Sequence, residues 1–133
     1  MIAAPELASG RTRSLAELVD LNPTLCELAN IPAPDHLQGE SLVPILHKPE
    51  QSEPGIALSQ YARYGTRYMG RAIRTDRYRF VTGTEQASGD VIERELYDHA
   101  QDPQEKRNLA KDATYEAHVT QLENQLRRSF KLE

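Results

Sequence analysis

The chain has 133 residues, of which 38% are hydrophobic, and a formal net charge of −4. A chain of this length can bury one core but not two separate ones. It has no run of about 18 apolar residues and no charged-then-apolar leader, so we expect neither a membrane protein nor a signal peptide in this sequence. Its single cysteine excludes an internal disulfide and a cysteine-rich zinc site, and its acidic balance argues against general nucleic-acid binding.

The N-terminal part of the chain is predicted to contain a helical segment. Ser14 and Glu17 have the spacing of a capping box, in which each side chain bonds an amide at a helix start. Apolar residues then recur at helical spacing and Pro23 interrupts them, which predicts a short helix, a break and a second helix. Residues 31–54 hold five of the eight prolines, which predicts a connecting loop with a helical turn over residues 41–46.

The pattern changes to that of strands after Gly55. Four segments rich in β-branched and aromatic residues predict an antiparallel meander of about four strands, over residues 56–61, 68–74, 77–82 and 91–97. The clearest helix of the sequence closes the chain at residues 113–130, where apolar side chains recur every three or four positions on one face. We therefore predict an α+β fold in which the C-terminal helix packs on the sheet, preceded by the N-terminal helical segment.

No motif in the sequence builds a catalytic or metal site. Cys26 lies in a helical apolar run and is predicted to pack rather than react. Four aspartates lack a partner at ligand-like spacing and are assigned structural roles in turns and caps: Asp20, Asp76, Asp98 and Asp102. There is neither a nucleophile elbow nor a glycine-rich phosphate loop. We therefore predict no catalytic residue and no metal ligand in this chain.

Positive charge is concentrated in residues 63–79. This stretch has one acid, Asp76, and six arginines, at positions 63, 67, 71, 74, 77 and 79, so it carries +5 and leaves −9 for the rest of the chain. Tyrosines are interleaved with the arginines. The planar fork of arginine matches the oxygens of sulfate, phosphate or carboxylate, and tyrosine adds a flat face that suits a sugar ring or a base.

Two interpretations of this stretch stay open. An anion-binding face and a solvated sheet face balanced by acids of the helices are equally compatible with three strand arginines: Arg74, Arg77 and Arg79. For Tyr61, Arg63 and Tyr64, which we place in a loop, a binding role is favoured because loops carry function and Gly65 permits an unusual backbone turn. These three are our candidate substrate-binding residues.

Three blocks of the sequence occur in the order known from one protein family. They read, in turn, LAELVDLNPTLCELANIPAPDHLQGESLVPIL, SQYARYGTRYMGRAIRTDRYRFV and ELYDHAQDPQEKRNLA. They resemble the segments "LVDL-x-PTLLELAG-x-P … L-x-G-x-SL-x-P-L", "SQY … MGY-x-IRT-x-RYRY" and "ELYDL-x-x-DP-x-E-x-x-NLA" of sulfatases of the alkaline phosphatase superfamily, in the iduronate-2-sulfatase-like branch. Together the blocks cover most of residues 5–130.

The resemblance implies that the chain is the C-terminal region of such an enzyme. Residues 1–30 are then the helical tail of a larger N-terminal α/β domain, and residues 31–54 are a proline-rich connecting loop. Residues 55–133 are the C-terminal subdomain of antiparallel sheet plus helix. The implied activity of the whole enzyme is hydrolysis of sulfuric esters of sulfated sugars such as glycosaminoglycans, and the family is usually exported.

The resemblance also implies that the catalytic groups lie outside this chain. In the family, a cysteine of a Cys-x-Pro/Ala-x-Arg motif matures to formylglycine and acts with a calcium ion, both upstream of the matched blocks. Cys26, followed by Glu27 and Leu28, is not that motif. What the resemblance offers here is contact with a sulfated sugar through residues 59–64, where Ala62 stands in place of the family's proline.

Two alternatives to an enzyme subdomain remain. A free-standing, non-catalytic module would bind anionic glycans or a protein partner through the arginine–tyrosine face, with salt-sensitive affinity. A structural remnant would self-associate through the surface that meets the N-terminal catalytic domain in a complete enzyme. An exposed apolar patch on residues 14–30 would be the sign of such a surface.

Overall fold

A computed structural model describes residues 2–3, 7, 9–51 and 53–132 of the chain, without the side chain of Gln51. It contains two compact units, Met1–Gly55 and Ile56–Glu133. The predicted tail over residues 1–30 and the start of the resemblance at residue 5 fall partly outside the described residues. Within the described residues, every helix is too short or too polar to cross a lipid bilayer.

The first unit is built from short helical elements. In chain order they are a 3-10 turn (Leu18–Asp20), α1 (Leu21–Leu28), α2 (Val43–His47) and a second 3-10 turn (Pro49–Gln51). Pro23 lies in the first turn of α1, where its missing amide hydrogen leaves no helical hydrogen bond unmade. Asn30 ends this helix with a φ of +54°, which allows the Ile31 amide to donate to the Cys26 carbonyl at 2.9 Å.

The predicted capping box at Ser14 is wrong. Helical structure begins at Leu18, one turn later. The Ser14 hydroxyl donates instead to the Glu53 carbonyl at 2.8 Å, so this stretch runs along a neighbouring loop segment. The capping box is formed by Glu17 and Asp20, with the Glu17 amide donating to Asp20 Oδ2 at 2.8 Å.

Buried polar groups at the start of α1 form hydrogen bonds with the proline-rich segment. Asp20 is buried, and its Oδ1 accepts the Glu40 amide at 3.0 Å, which is a structural role as predicted. The hydroxyl of the fully buried Thr24 donates to the Asp20 carbonyl and accepts the Leu42 amide at 2.8 Å. A Cβ at Gly39 would lie 2.2 Å from a carbonyl oxygen of the first 3-10 turn, so only glycine fits there.

The second unit is a four-stranded antiparallel sheet with one helix. Its strands are adjacent in chain order: β1 (Ala57–Arg63), β2 (Tyr68–Arg74), β3 (Tyr78–Glu85) and β4 (Val91–Asp98). Helix α3 (Glu116–Ser129) follows a 3-10 turn, Ala113–Tyr115. The predicted α+β class, the four-stranded sheet and the C-terminal helix are confirmed. Strand β1 runs two residues and β3 three residues past the predicted ends.

The hydrophobic core lies in the second unit, between α3 and one face of the sheet. It consists of six buried residues: Ile73, Phe80, Leu96, Leu109, Leu122 and Leu126. Ile73, Phe80 and Leu96 lie directly opposite one another in neighbouring strands and form a row across the sheet. Because side chains alternate along a strand, the adjacent positions point to the other face. The candidate site lies on that outer face.

Candidate functional site

The outer face of the sheet contains a trough that runs across the strands. In the strand register Tyr61 faces Gly70, Gly70 faces Gly83, and Gly83 faces Glu93. The two glycines leave the middle of this row without side chains, so Tyr61 and Glu93 stand at its ends. A Cβ at Gly83 would lie 3.3 Å from the Cβ of Glu93, so glycine keeps that end open. These residues line a cavity of about 580 Å³.

The three predicted site residues lie together at one end of this trough. The prediction that Tyr61 and Arg63 belong to a loop is wrong, because both lie in β1 and only Tyr64 is in the turn. Tyr64 and Gly65 have φ values of +52° and +71°, which reverse the chain directly after the Arg63–Tyr68 pair. All three candidates line the cavity. Their role in binding stays a prediction.

The end of the trough offers one available guanidinium beside aromatic rings. Arg63 has no hydrogen-bond or carboxylate partner among the described residues. Tyr61 is 70% and Tyr64 84% exposed. The rings of Tyr64 and Tyr68 meet edge to face with centroids 6.1 Å apart, and the Arg67 guanidinium lies 5.0 Å from the Tyr68 centroid. These contacts stiffen the turn that carries Tyr64.

The three arginines near the C-terminal end of residues 63–79 form hydrogen bonds within the protein. Arg77 donates from Nε and Nη2 to Asp98 at 2.9 and 2.7 Å, and Asp98 is fully buried. Arg79 binds both carboxylate oxygens of Glu105, with 2.6 Å between Nε and Oε1. Arg74 donates to a backbone carbonyl at 3.2 Å. All three therefore make contacts within the protein. The acids that balance Arg77 and Arg79 come from β4 and the loop after it, and the expectation that helix acids balance them is wrong.

These ion pairs shift the carboxyl pKa values. Hydrogen bonds from Arg77 hold the pKa of Asp98 below its usual value. Hydrogen bonds from Arg79 lower the pKa of Glu105 in the same way, and His99, with Nε2 at 2.6 Å from Oε1, also contributes. Both carboxylates therefore stay charged at neutral and mildly acidic pH.

The third sequence block ties the loop after β4 to that strand. Asn108 Oδ1 accepts the Leu96 amide at 3.1 Å, and its Nδ2 donates to the Arg94 carbonyl at 3.1 Å. The Leu109 amide donates to the Leu96 carbonyl at 2.8 Å, and the Leu109 side chain enters the core. Glu105, whose carboxylate contacts Arg79 and His99, has a left-handed backbone conformation with a φ of +54°. The polar groups of this block therefore stabilise the fold.

The described ranges contain no group of three His, Cys, Asp or Glu side chains that could hold a metal ion. The calcium ion that the resemblance implies therefore has no ligand set in this part of the chain. Cys26 is half-buried, and its Sγ lies 3.4 Å from Asn22 Oδ1 on the same helix. Among the described residues its one hydrogen-bond partner is this amide and not a base, so the position suits packing rather than nucleophilic chemistry.

Comparison with known proteins identifies the family. The family model "N-sulphoglucosamine sulphohydrolase, C-terminal" matches residues 2–131. The chain belongs to this sulfatase family. The resemblance to the C-terminal region of sulfatases of the alkaline phosphatase superfamily is thereby confirmed. Relatives that remove 2-O sulfate, described next, are consistent with the iduronate-2-sulfatase-like branch.

Individual sulfatases resemble this part of the chain closely. A Delta 4,5-hexuronate-2-O-sulfatase of Bacteroides thetaiotaomicron is 39% identical over 102 residues, which are 73% of this chain and 20% of the relative. The structure of a 2-O GAG sulfatase has a TM-score of 0.67 and 34% identity, covering 84% of this chain and 24% of the other. A protein solved with its substrate D-glucosamine-2-N,6-O-disulfate has a TM-score of 0.68 and 26% identity, over 84% and 23%. This chain spans about a fifth to a quarter of the length of these relatives.

Sequence reasoning missed the floor and the far end of the trough. Gly70, Gly83 and Glu93 were not singled out, because strand glycines and alternating acids are ordinary in a solvated sheet. Their meaning depends on the register, which places the two glycines opposite each other. The signal that could have found them is one glycine within the predicted strand 68–74 and another directly after the predicted strand 77–82.

Proposed function

We propose that this chain is the C-terminal subdomain of a sulfuric ester hydrolase that acts on sulfated sugars, and that Tyr61, Arg63 and Tyr64 contact the sugar. The observation that carries the proposal is Arg63, which has no partner among the described residues and lies beside two exposed tyrosines. Its guanidinium offers parallel donors to a sulfate, while the rings offer flat apolar surface to a sugar. The glycine floor leaves room for a ring between them.

The substrates named for the relatives support this chemistry. One relative is a hexuronate-2-O-sulfatase, and another was solved with a disulfated glucosamine as its substrate. Both names describe hydroxyl-rich anions. A binding surface for such ligands needs a fixed cation, aromatic surface and hydrogen-bonding groups around an open cleft. The trough combines Arg63, Tyr61 and the carboxylate of Glu93 around a cavity of about 580 Å³.

The hydrolytic chemistry belongs, in this proposal, to a preceding domain. That domain would supply the formylglycine and the calcium site of the family, since neither has a counterpart among the described residues. Bound calcium would stabilise negative charge on the sulfate group. The contribution of this chain is to bind and orient the sugar. Alone, it is expected to hydrolyse no sulfate ester.

An exposed apolar stripe supports the proposed division of the chain. Leu18, Leu21 and Leu25 recur at helical spacing and are 86%, 40% and 62% exposed. Such a stripe is typical of a helix that packs against another structure. We propose that residues 1–30 are the tail of the larger N-terminal domain and that this stripe packs within it. Residues 31–54 then connect that domain to the C-terminal subdomain, residues 55–133.

A titration of the isolated chain tests the sugar contact. Amide resonances would be followed by NMR while a 2-O-sulfated uronate-containing disaccharide is added, with its desulfated form as a parallel titrant. We expect saturable shifts at Tyr61, Arg63 and Tyr64 only with the sulfated sugar, and about tenfold weaker binding in Arg63→Ala, equivalent to one charge-assisted contact. The matched control is Arg107→Ala, an exposed arginine paired with Asp112.

Two outcomes of this titration would contradict the assignment. One is the absence of any shift at these residues at tens of millimolar disaccharide, and the other is equal affinity of wild type and Arg63→Ala. A non-catalytic glycan-binding module is the second candidate function, because every residue that lines the trough belongs to the second unit. It predicts the same shifts in a chain that no catalytic domain precedes.

A further inference from the structure

A second cavity lies on the core side of the sheet, beside the C-terminal end of α3. Its volume is about 230 Å³, several times the roughly 30 Å³ that one water molecule occupies in the liquid. Its polar lining on the sheet side comes from four residues: Arg71, Thr82, Thr84 and Gln86. Leu126 closes it on the helix side. The cavity is therefore polar on one side and large enough for a small polyatomic ion.

Arg71 lines this cavity, and no described residue accepts a hydrogen bond from its guanidinium. Its Nε is buried and has no hydrogen-bond partner among the described residues. Its guanidinium carbon lies 5.8 Å from the centre of the Phe130 ring, which orients the group but supplies no acceptor in its plane. A buried donor without an acceptor costs free energy, more so when it is charged. The position therefore favours an acceptor from outside the described chain.

Two threonines on the strand beside Arg71 line the same cavity. Arg71 and Thr82 face each other directly in β2 and β3, and Thr84 lies two residues further on the same face. Thr82 is 4% exposed. Neither hydroxyl donates to a described residue. A guanidinium on one strand and two hydroxyls on the next can therefore bind different oxygens of one anion.

The acid at the cavity does not cancel the charge of Arg71. Glu123 contributes to the lining, but its two carboxylate oxygens accept Nε and Nη2 of Arg94 at 2.9 and 2.8 Å. That pair is neutral as a unit. Arg71 has no carboxylate within ion-pair distance among the described residues. The cavity therefore carries a positive charge that the described residues leave unbalanced.

We propose that this cavity binds a small tetrahedral oxyanion of the sulfate or phosphate class. Arg71 is the charged donor, and Thr82 and Thr84 are the neutral donors. The ligand is either a free inorganic anion or the sulfate group of an ester, which share this chemistry. The proposal does not depend on the sugar contact at Arg63, since the cavity lies on the opposite face of the sheet.

The test is an NMR titration of the complete chain with sodium sulfate, and separately with sodium phosphate, at ionic strength held constant with sodium chloride. The Arg71 Nε–H resonance is the direct probe. We expect a saturable shift in wild type and at least tenfold weaker binding in Arg71→Met, which keeps an unbranched stem against Phe130. Arg67→Met is the matched control and should bind as wild type does, because Arg67 lies at the β1–β2 turn.

A parallel titration with glucose 6-sulfate distinguishes the two sources. Binding of inorganic sulfate alone identifies a free anion, and binding of the ester with equal or higher affinity identifies a sulfate ester. Thr82→Val provides a second variant if Arg71→Met does not fold, and it should weaken binding severalfold. The proposal is overturned if no anion gives a saturable shift, or if the folded variants bind as tightly as wild type.

Discussion

Two pairs of arginines in the arginine-rich stretch have opposite surroundings. Arg77 and Arg79 each hold a carboxylate through two hydrogen bonds, in pairs that include the buried Asp98. Arg63 and Arg71 meet no carboxylate among the described residues. A run of like charges is therefore not one functional unit. Where the fold brings an acid to the strand, the arginine stabilises the fold, and elsewhere its charge is available to a ligand.

The largest expected effect is the loss of the buried acid. Asp98→Ala leaves Arg77 without its partner and removes the acceptor of the Ala100 amide, bonded at 3.1 Å. We expect the free energy of unfolding to fall by about 3 kcal/mol. Urea unfolding of wild type, Asp98→Ala and the exposed control Asp90→Ala measures this. A loss of similar size in both variants would contradict the structural role of the Arg77–Asp98 pair.

An intermediate effect is expected at Glu105, with a defined pH dependence. Glu105→Gln should lower the free energy of unfolding by about 1.5 kcal/mol at pH 7, since it removes one charge-assisted pair that is partly exposed. The folded-state pKa of Glu105 is depressed. The contribution of Glu105 to the free energy of unfolding is therefore complete above its unfolded-state pKa near 4. It is lost as the pH falls through the folded-state pKa.

Unfolding experiments between pH 7 and pH 2 follow this dependence. The difference in stability between wild type and Glu105→Gln should shrink as the pH falls below about 4, where the Glu105 carboxylate becomes protonated. A difference that grows as the pH falls from about 4 to 2 would show that the sign of the Glu105 contribution is wrong.

The smallest effect on stability is expected at Arg63, whose charge we propose is used by a ligand and not by the fold. Arg63→Ala should change the free energy of unfolding by less than about 0.5 kcal/mol, as is usual for an exposed side chain without partners. Its consequence should appear in the sugar titration instead. A loss of stability as large as that of Glu105→Gln would mean that Arg63 belongs with the paired arginines, and the comparison would then fail.

Local patterns predicted the elements of this fold well. Strand positions followed from β-branched and aromatic runs between turn residues, and α3 followed from the spacing of Leu122 and Leu126 with their apolar neighbours. The error at Ser14 arose because both Ser14 and Glu17 can cap the start of a helix. In the structure the Ser14 hydroxyl bonds Glu53 instead, which is remote in sequence.

The candidate site could be predicted only in part, because its geometry depends on pairing. The sequence pointed to Tyr61, Arg63 and Tyr64 through composition alone. The glycine floor required the register of β2 and β3. Which arginines are available required the positions of Asp98 and Glu105, which are set by β4 and the loop after it. No local pattern carries that information.

The central claim, that this chain is the C-terminal subdomain of a larger sulfatase, is tested most directly by the intact mass of the native polypeptide. Capture from the source with an antibody against residues 113–130, followed by mass spectrometry, gives that mass. Because the matched 73–84% of this chain makes up 20–24% of its relatives, the whole relatives are about 3.5 to 4 times as long, and we predict a mass of about 3.5 to 4 times 15.0 kDa. A mass near 15 kDa, with no larger chain co-purifying, would contradict the claim and leave a free-standing binding module.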